Sequence, residues 1–241
     1  MTAHLNAAEA AHEKAVKEMF SGIAGRYDLL NHVMSMNIDR LWRRRVRREL
    51  QDVLSDPKAV VLDVACGTGD LSIELARGAR AQVVGTDFCR PMLSVAAGKI
   101  SAESMDVPLL EADAMALSFG DESLDAITIA FGLRNLPNHA DGLKELYRIL
   151  KPGGKLVVLE CSNPALPGFR QLFDLYFNKV VPRVGGMISG SRGAYTYLPE
   201  SVSRFPDKKR LARMMEDAGF SQVRFTSLTG GVAAIHVGVR R

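Results

Sequence analysis

The sequence predicts an α/β fold in which helices cover both faces of a mostly parallel sheet. Short apolar runs typical of buried strands alternate with helical stretches from about residue 59 to residue 161. The first run leads directly into a glycine-rich turn, and the chain closes on two strand-like segments separated by a tight turn. Because the crossover connections of such a sheet have one hand, ligands are expected at the carboxyl ends of its strands.

The elements follow one another along the chain in a regular order. Parallel strands are predicted at 59–65, 81–87, 107–113, 123–133 and 155–161, with helices at 70–79, 90–100 and 139–154 between them. The helix at 139–154 is expected to stop at the Lys-Pro-Gly-Gly sequence that ends it. A further helix at 207–220 precedes two strands joined at Thr229-Gly230-Gly231, which predict a closing hairpin.

Two segments stand outside this alternation. Residues 1–58 contain helical stretches at about 8–23 and 38–54, separated by "AGRYDLLNHVMSMN", and are predicted to form a helical lid at the carboxyl edge of the sheet. Residues 161–206 form an insertion rich in aromatics, glycine and proline, which is expected to contribute to an acceptor site. The remainder, 59–241, is predicted to be the catalytic part of a single domain.

Composition limits the class of protein. The chain has 241 residues, of which 47% are hydrophobic and 24% charged, as in soluble globular proteins. No apolar run approaches the roughly 18 residues of a membrane-spanning helix, and the amino terminus lacks the pattern of a secretion signal, so we expect a cytoplasmic protein. The three cysteines are widely spaced without a C-x-x-C pair, which argues against a disulfide framework and against a metal site.

The clearest chemical signal is the stretch "VLDVACGTGDL" at 61–71. Its glycines allow the backbone to turn tightly and approach a ligand. It lacks the Gly-Lys-Ser/Thr sequence of a phosphate-binding loop. The dinucleotide pattern G-x-G-x-x-G also fails, because an aspartate stands where the third glycine would fall.

Acidic residues follow the predicted strands at the edge where ligands bind. Asp63 ends the first strand and begins the pattern D-x-x-x-G-x-G with Gly67 and Gly69. Asp87 ends the second strand, where a carboxylate can accept both hydroxyls of a ribose, and Asp113 ends the third, where an adenine amino group would be bound. Three acids without a basic phosphate clamp predict a positively charged nucleoside that carries no phosphate, namely S-adenosylmethionine.

These features resemble the Rossmann-like, seven-stranded class I methyltransferases that depend on S-adenosylmethionine. The segments "FSGIAGRYDLLNHVMSMNIDRLWRR", "DVACGTGDL", "AFGLRN", "LKPGGKL", "ECSNP" and "YTYLPESVSRFP" are more specific and resemble the UbiE/MenG family of quinone-biosynthesis C-methyltransferases over nearly the whole chain. The resemblance implies that the fourth strand lies beside the first. It also implies cofactor contacts at Thr68, Asp87 and the Asp113-Ala114 pair. Ala65 and Ala130 depart from residues common in related enzymes.

The resemblance implies transfer of a methyl group to the ring carbon of a reduced polyprenyl quinone, converting demethylmenaquinol to menaquinol. A quinone carbon is electrophilic, so the acceptor must be the quinol. The alternatives are methylation of the 2-methoxy-6-polyprenyl-benzoquinol of ubiquinone synthesis, alone or in addition, a methyltransferase acting on RNA, and a non-enzymatic, membrane-associated module that only binds S-adenosylmethionine.

Four residues are candidates for assisting the transfer. Arg134 and Asn135 follow the fourth strand, and we expect Arg134 to stabilise a phenolate beside the methyl donor. Tyr27 and Asp28 lie in the lid, and Asp28 or a water molecule is the expected proton acceptor. Structural roles remain open for each: an ion pair between loop and lid for Arg134, a packed aromatic for Tyr27, and a helix cap for Asp28. His139, at a helix start, is a further candidate base.

The partners predicted are a polyprenyl quinol and the surface of an anionic membrane. Trp42, Val46, Leu50 and Val53 or Leu54 fall on one side of a helix whose other sides carry arginines, so "RLWRRRVRREL" at 40–50 is predicted to be a packed amphipathic helix with a second role in peripheral membrane contact. No nucleic-acid partner is expected, and a homo-oligomer stays open. The isoprenoid tail would need apolar side chains, and the insertion offers Phe169, Leu172, Phe173, Tyr176, Phe177, Val180 and Val181.

Overall fold

The computed structural model describes residues 6–162, 164, 171 and 193–241. Seven strands form one sheet in the order β3-β2-β1-β4-β5-β7-β6. The strands are β1 (Val60–Val64), β2 (Gln82–Asp87), β3 (Leu109–Glu111), β4 (Leu124–Ala130), β5 (Leu150–Cys161), β6 (Phe220–Leu228) and β7 (Ala233–Arg240). Strands β1 to β5 run parallel to one another, whereas β7 runs antiparallel to β5 and β6. The predicted fold class, the pairing of β1 with β4 and the closing hairpin are confirmed.

Helices precede, connect and follow these strands. The helices before the sheet are α1 (Ala7–Ile23), α2 (Tyr27–Ser35), α3 (Asp39–Glu49) and α4 (Gln51–Leu54). Those after them are α5 (Asp70–Ala76), α6 (Arg90–Ala102), α7 (His139–Ile149), α8 (Gly193–Arg204) and α9 (Lys208–Asp217). Residues of α3, α5 and α6 pack in a buried cluster on one face of the sheet, and residues of α7 and α9 pack on the other. Both faces of the central strands are therefore covered, which explains their nearly continuous apolar sequences.

The segment predicted to separate two N-terminal helices is itself helical. A 3-10 turn at Ala24–Arg26 leads into α2, which ends where Met36 adopts a left-handed conformation with φ of 51°. Tyr27 and Met34 pack beside the buried side chains of Ile23 and Met92. These tertiary contacts stabilise a short helix that local periodicity did not indicate.

Two element boundaries also differ from the prediction. Strand β3 ends at Glu111, so Asp113 follows the strand by two residues and does not end it. Helix α7 ends at Ile149, as a stop before Lys-Pro-Gly-Gly requires, but β5 begins at Leu150. The register of β5 against β4 then shifts between Leu124 and Ala126, which accommodates the proline and glycines as an irregularity within the strand.

The arginine-rich stretch forms α3, and its predicted amphipathic packing is confirmed. Trp42, Val46, Leu50 and Leu54 are buried, and Val53 is partly buried against the same cluster. The Trp42 indole N–H donates to Thr229 Oγ1 over 2.9 Å, and its ring lies 6.0 Å from the ring of Phe131. Helix α3 is thus fixed to the sheet and to the hairpin turn.

The insertion at 161–206 lies largely outside the described residues, and so does the proposed tail-binding set Phe169, Leu172, Phe173, Tyr176, Phe177, Val180 and Val181. Its last part is α8, which contacts α1 and the 3-10 turn at Leu133–Asn135. Among the described residues, the helices are too short or too polar to cross a bilayer.

Candidate active site

A cleft opens at the carboxyl ends of the parallel strands, beneath α1 and α2. Its space, counting the part open to solvent, is about 700 Å³, which lies within the range of small-molecule sites. The lining comes from the glycine-rich turn after β1, the ends of β2 and β4, the loops that follow β3 and β4, and the inner sides of the two N-terminal helices. The lining residues are Glu13, Phe20, Tyr27, Ala65, Gly67, Asp87, Phe88, Met92, Ala112, Asp113, Ala114, Ala130, Phe131, Gly132, Asn135, Leu136 and Pro137.

The turn after β1 has the left-handed backbone conformation at three positions. Ala65, Gly67 and Gly69 have φ of 51°, 56° and 81°. Ala65 and Gly67 line the cleft, whereas Gly69 lies behind it, where a Cβ would be only 3.0 Å from that of Ala96 in α6. Of the two predicted glycines, Gly67 thus borders the ligand space, and Gly69 allows α6 to pack closely against the turn.

Asp87 lies where the sequence predicts a ribose-binding carboxylate. It ends β2, lines the cleft, and accepts hydrogen bonds of 2.8 Å from the backbone N–H groups of Gly67 and Cys89. Burial raises the pKa of this carboxyl, and the two backbone donors act in the opposite direction. Its oxygens are fixed by backbone and face the cleft, so hydroxyl donors of a ligand can complete their hydrogen bonding.

Asp63, predicted to contact the cofactor, is not among the residues that line the cleft. The carboxylate is buried beneath the glycine turn, where it accepts hydrogen bonds from Ser72 Oγ at 2.6 Å and Thr128 Oγ1 at 2.7 Å. Burial raises its pKa to about 6. Asp63 therefore connects β1 to α5 and β4 and supports the turn from below.

The far end of the cleft is acidic. Asp113 and Ala114, both predicted, line it, and the Asp113 carboxylate accepts from the backbone N–H of Met115 at 2.8 Å. Glu13 of α1 also lines this end and was not predicted. Burial, and then the charge of Asp113, raise the pKa of the Glu13 carboxyl. A hydrogen-bond donor or a cation placed near both carboxylates would relieve their repulsion.

Thr68 and Asp28 contact each other where α2 meets the glycine-rich turn after β1. The Thr68 hydroxyl donates to Asp28 Oδ1, and Lys99 Nζ of α6 lies 2.7 Å from Asp28 Oδ2. Neither Thr68 nor Asp28 is among the residues that line the cleft. Asp28 is also not a cap, because Arg26 occupies that position of α2. Both oxygens of Asp28 are engaged in fastening α2 to the glycine turn and to α6.

The same network continues away from the cleft. His32, Asp39 and Asp70 place one ligand atom each within 4.8 Å of one another, a spacing that a metal ion could bridge. Arg43, however, lies 2.7 Å from Asp39 and 3.1 Å from Asp70, and Lys99 also contacts Asp70. Two cationic side chains already neutralise these carboxylates, so the cluster has the chemistry of an ion-pair network joining α2, α3, α5 and α6.

Arg134 is buried in an ion pair with Glu160. Its guanidinium lies 2.9 Å from Glu160 Oε2, also donates to the Phe131 carbonyl, and does not line the cleft. Burial alone would lower the pKa of Arg134, but the charge of Glu160 raises it. The ion pair joins the turn after β4 to β5. It does not join that turn to the N-terminal helices, which was the structural role left open for Arg134.

Tyr27 and Asn135 both line the cleft. Burial raises the pKa of the Tyr27 hydroxyl, and the nearby charge of Arg134 lowers it. The Asn135 amide donates to the Phe131 carbonyl over 3.2 Å, and its oxygen accepts from the hydroxyl of Tyr197 over 3.1 Å. His139 begins α7 beside them, its ring against Phe205, and burial lowers its pKa. Tyr197, which lies in the stretch "YTYLPESVSRFP" but was not predicted as a site residue, brings α8 to the site.

The lining suits S-adenosylmethionine in its charge and in its apolar surface. Three carboxylates, Glu13, Asp87 and Asp113, face the cleft, and its described lining contains no lysine or arginine that could neutralise a phosphate. Phe20, Phe88 and Met92, which sequence reasoning also missed, provide apolar surface beside these carboxylates. Apolar walls with a few acidic groups suit a nucleoside that carries a sulfonium and no phosphate.

Comparison with known proteins identifies the family. The family model described as the ubiE/COQ5 methyltransferase family matches residues 8–240. The chain is 48% identical to the demethylmenaquinone methyltransferase of Deinococcus radiodurans, covering 95% of this chain and 93% of that protein. It is 52% identical to the protein of the same name from Thermus thermophilus, covering 92% and 100%.

A solved structure of a SAM-dependent methyltransferase from Thermotoga maritima, described as a possible histamine N-methyltransferase, matches the fold. Its TM-score is 0.65 at 18% identity, and the match covers 93% of this chain and 99% of that one. The chain belongs to the ubiE/COQ5 methyltransferase family and is an S-adenosylmethionine-dependent methyltransferase of the class I fold.

Proposed function

We propose that the protein methylates a ring carbon of demethylmenaquinol to give menaquinol. The observation that carries the proposal is the acidic cleft, whose three carboxylates face a space without basic lining among the described residues. Relatives that share about half of its residues are named demethylmenaquinone methyltransferases, which supports the naphthoquinol as acceptor. We further propose that residues 1–58 act as the lid of a single catalytic unit.

The carboxylates set the orientation of the nucleoside. Asp87 accepts the two ribose hydroxyls, because its oxygens already face the cleft and are held by backbone donors. Glu13 and Asp113 each accept one N–H of the adenine amino group, which has two donors for two acceptors. The turn at Ala65 and Gly67 then borders the methionine portion with backbone atoms, and Ala114 packs beside the adenine.

When bound, S-adenosylmethionine supplies an electrophilic methyl group on a positively charged sulfur. The reduced acceptor is the nucleophile, because its oxygen lone pairs increase the electron density of the ring carbon that attacks. A phenolic proton leaves before or during attack, and the ring carbon loses its own proton afterwards as the ring becomes aromatic again. The phenolate oxygen then regains a proton, so that one proton is released for each methyl group transferred. The chain's task is to align the two partners and to limit water, which α1 and α2 do by covering the cleft.

Tyr27 and Asn135 are the residues we propose to hold the acceptor oxygen. Both carry hydrogen-bonding groups at the cleft wall, and the interaction of Asn135 with Tyr197 fixes its amide. Arg134 acts from behind the wall by shaping the turn after β4. Asp28 positions Thr68 and the glycine turn, so we propose that the departing proton passes to water and not to Asp28.

We also propose peripheral contact with an anionic membrane, because the polyprenyl acceptor resides there. The basic outer side of α3 is the candidate surface. Arg44 and Arg48 are exposed, and each basic residue near an anionic surface adds attraction of about 1 kcal/mol.

The proposal is tested with purified protein, methyl-labelled S-adenosylmethionine and reduced demethylmenaquinone. Label is expected in the naphthoquinol product and not when the same acceptor is supplied oxidised. Reduced 2-methoxy-6-polyprenyl-benzoquinone, assayed in parallel, decides whether the ubiquinone precursor is a second acceptor. Tight binding of the methyl donor without transfer to any quinol would contradict the proposal, as would transfer to RNA with a steep dependence on salt.

A further inference from the structure

Exposed apolar side chains are concentrated on one part of the described surface. Six large hydrophobic side chains are exposed among the described residues, and four of them belong to α2, its C-terminal cap and α3. The exposed fractions are 56% for Leu29, 42% for Val33, 70% for Met36 and 60% for Leu41. Single exposed leucines are common, but a cluster of this kind marks a surface that binds something.

The residue spacing in α2 separates an exposed apolar side from a side that faces the cleft. Leu29, Val33 and Met36 are four and three residues apart and therefore share its outer side. The inner side holds Tyr27, which lines the cleft, and Met34, which packs beside the buried side chains of Ile23 and Met92. Helix α2 thus touches the active-site cleft on one side and presents apolar side chains to the surroundings on the other.

Unpaired positive charge follows this apolar strip along the chain. Arg40, Arg44 and Arg48 are exposed and form no ion pair with any residue that the structure describes. In contrast, Arg43 is bound by Asp39 and Asp70, and Arg45 lies 3.2 Å from Glu49. Because Leu41, Arg44 and Arg48 are three and four residues apart, the exposed leucine lies among the unpaired arginines.

We infer that the outer side of α2 and the arginine side of α3, defined by Leu29, Val33, Met36, Leu41, Arg40, Arg44 and Arg48, dock onto an anionic lipid bilayer. This inference deepens the proposed function, since it rests on an acceptor that resides in the membrane. Charge complementarity favours lipid, because three cations without an ionic partner among the described residues match anionic headgroups, while neighbouring apolar side chains enter the boundary with the acyl chains.

Docking in this way would bring the cleft to the acceptor. The apolar strip and the cleft lining lie on opposite sides of one helix of nine residues, so the cleft would lie about one helix diameter from the lipid surface. The quinol ring would then need to move only past the lid, while its isoprenoid tail stays in the bilayer. The methyl donor could enter from water at the same edge of the sheet.

The test measures sedimentation of the full chain with extruded vesicles that contain no quinone, either phosphatidylglycerol-rich or pure phosphatidylcholine. Wild type is expected to bind the anionic vesicles and to lose most of that binding in high salt. The double variant Arg44→Gln/Arg48→Gln should weaken binding about 25-fold, at about fivefold per arginine. The double variant Leu29→Ser/Val33→Ser should weaken it by about tenfold or more, with less dependence on salt.

Matched controls carry the same chemical changes elsewhere. Arg210→Gln/Arg213→Gln removes two exposed arginines from α9, and Leu110→Ser removes an exposed leucine from the edge strand β3. Both controls should bind vesicles as wild type does. All variants should keep turnover with a short-tailed quinol that dissolves in water, which separates failure of docking from failure of the proposed methyl transfer.

Three outcomes would overturn the inference. The first is equal vesicle binding by wild type and both patch variants, and the second is a loss of binding by the α9 control equal to that of the α3 variant. The third is self-association. If wild type sediments as a dimer that the α2 variant alone converts to monomer, and binds no vesicles, a second copy covers this surface and the inference is wrong.

Discussion

Asp63 and Asp87 end neighbouring strands of the same sheet, yet only one of them faces the cleft. Both are buried, and burial raises the pKa of both carboxyls. Asp63 accepts hydrogen bonds from two side-chain hydroxyls below the glycine turn, whereas Asp87 accepts from two backbone N–H groups and leaves its cleft side open. The difference lies in what donates to each carboxylate and in how far along the strand each one stands.

The strand register accounts for this difference. Asp63 pairs with Gly85, so Asp87 lies two residues, or about 7 Å, farther toward the carboxyl edge. Strand β1 ends at Val64, which leaves Asp87 beyond the last pair of its neighbour. Asp63, which lies inside the sheet, therefore hydrogen-bonds neighbouring elements. Asp87, which lies at the edge of the sheet, can contact a ligand.

The largest expected effect is on cofactor affinity when the edge carboxylate is removed. Asp87→Ala should raise the dissociation constant for S-adenosylmethionine about 100- to 1000-fold, because two charge-assisted hydrogen bonds to the ribose are lost. Isothermal titration on protein whose circular dichroism matches wild type provides the measurement. An affinity within tenfold of wild type would place the ribose elsewhere.

Replacing Asp63 should alter the free energy of unfolding and leave the affinity for S-adenosylmethionine nearly unchanged. The folded-state pKa of Asp63 is about 6 against an ordinary value of 3.8, so its protonated form favours folding. That contribution is complete below about pH 4 and is lost as pH rises through about 6. Relative to Asp63→Asn, wild type should therefore lose about 3 kcal/mol of unfolding free energy between pH 4 and pH 7.

Urea unfolding of wild type and Asp63→Asn at several pH values measures this difference. Asparagine is a suitable replacement because Ser72 and Thr128 can accept as well as donate hydrogen bonds. The affinity of the folded variant for S-adenosylmethionine should stay within about threefold of wild type. Parallel stability curves for the two proteins would show that Asp63 titrates as it does in the unfolded chain.

A smaller effect is expected from the lid carboxylate at the adenine end. Glu13→Gln should weaken binding of S-adenosylhomocysteine about tenfold, since one charge-assisted hydrogen bond to the amino group becomes a neutral one. The analogue with hypoxanthine in place of adenine presents a carbonyl there, so wild type should discriminate strongly against it. The variant should discriminate less, and unchanged discrimination would remove Glu13 from adenine recognition.

The smallest effect is expected at Asp28, which resembles Asp63 in having its oxygens occupied. Asp28→Asn should lower kcat about threefold, because the amide oxygen can still accept from Lys99 and the amide N–H can donate to the Thr68 hydroxyl, while the charge is lost. A general base would cost about 100-fold or more. A fall of that size in steady-state assays, with an altered pH profile, would restore Asp28 as the proton acceptor.

The fold could be predicted from the sequence because its signals are local. Buried strands such as β1 and β4 are continuous apolar runs, and Thr229-Gly230-Gly231 marks the hairpin by composition. The position of Asp87 was predictable for the same reason, as a strand end is visible in the chain. The placement of Asp63 was not, because the register between two strands depends on pairs that no single segment contains.

The contacts of Glu13, Asp28 and Arg134 were not predicted, because they join residues that are distant in the sequence. Glu13 lies in α1, and nothing within that helix indicates that it will stand near Asp113. Asp28 and its partner Lys99 are 71 residues apart, and Arg134 is 26 residues from Glu160. The sequence predicts which residue types could do the chemistry, but tertiary partners decide which of them are free to do it.

Trp42 gives the molecule an optical reporter. It is the chain's one tryptophan, it is buried, and its indole is held by the turn of the terminal hairpin, with Phe131 of the cleft wall 6.0 Å away. All indole fluorescence therefore originates at the junction of α3, the hairpin and the wall of the ligand space. Unlabelled protein should therefore report occupancy of the cleft through a change in the emission of Trp42, since Phe131 both lines the cleft and lies against the indole.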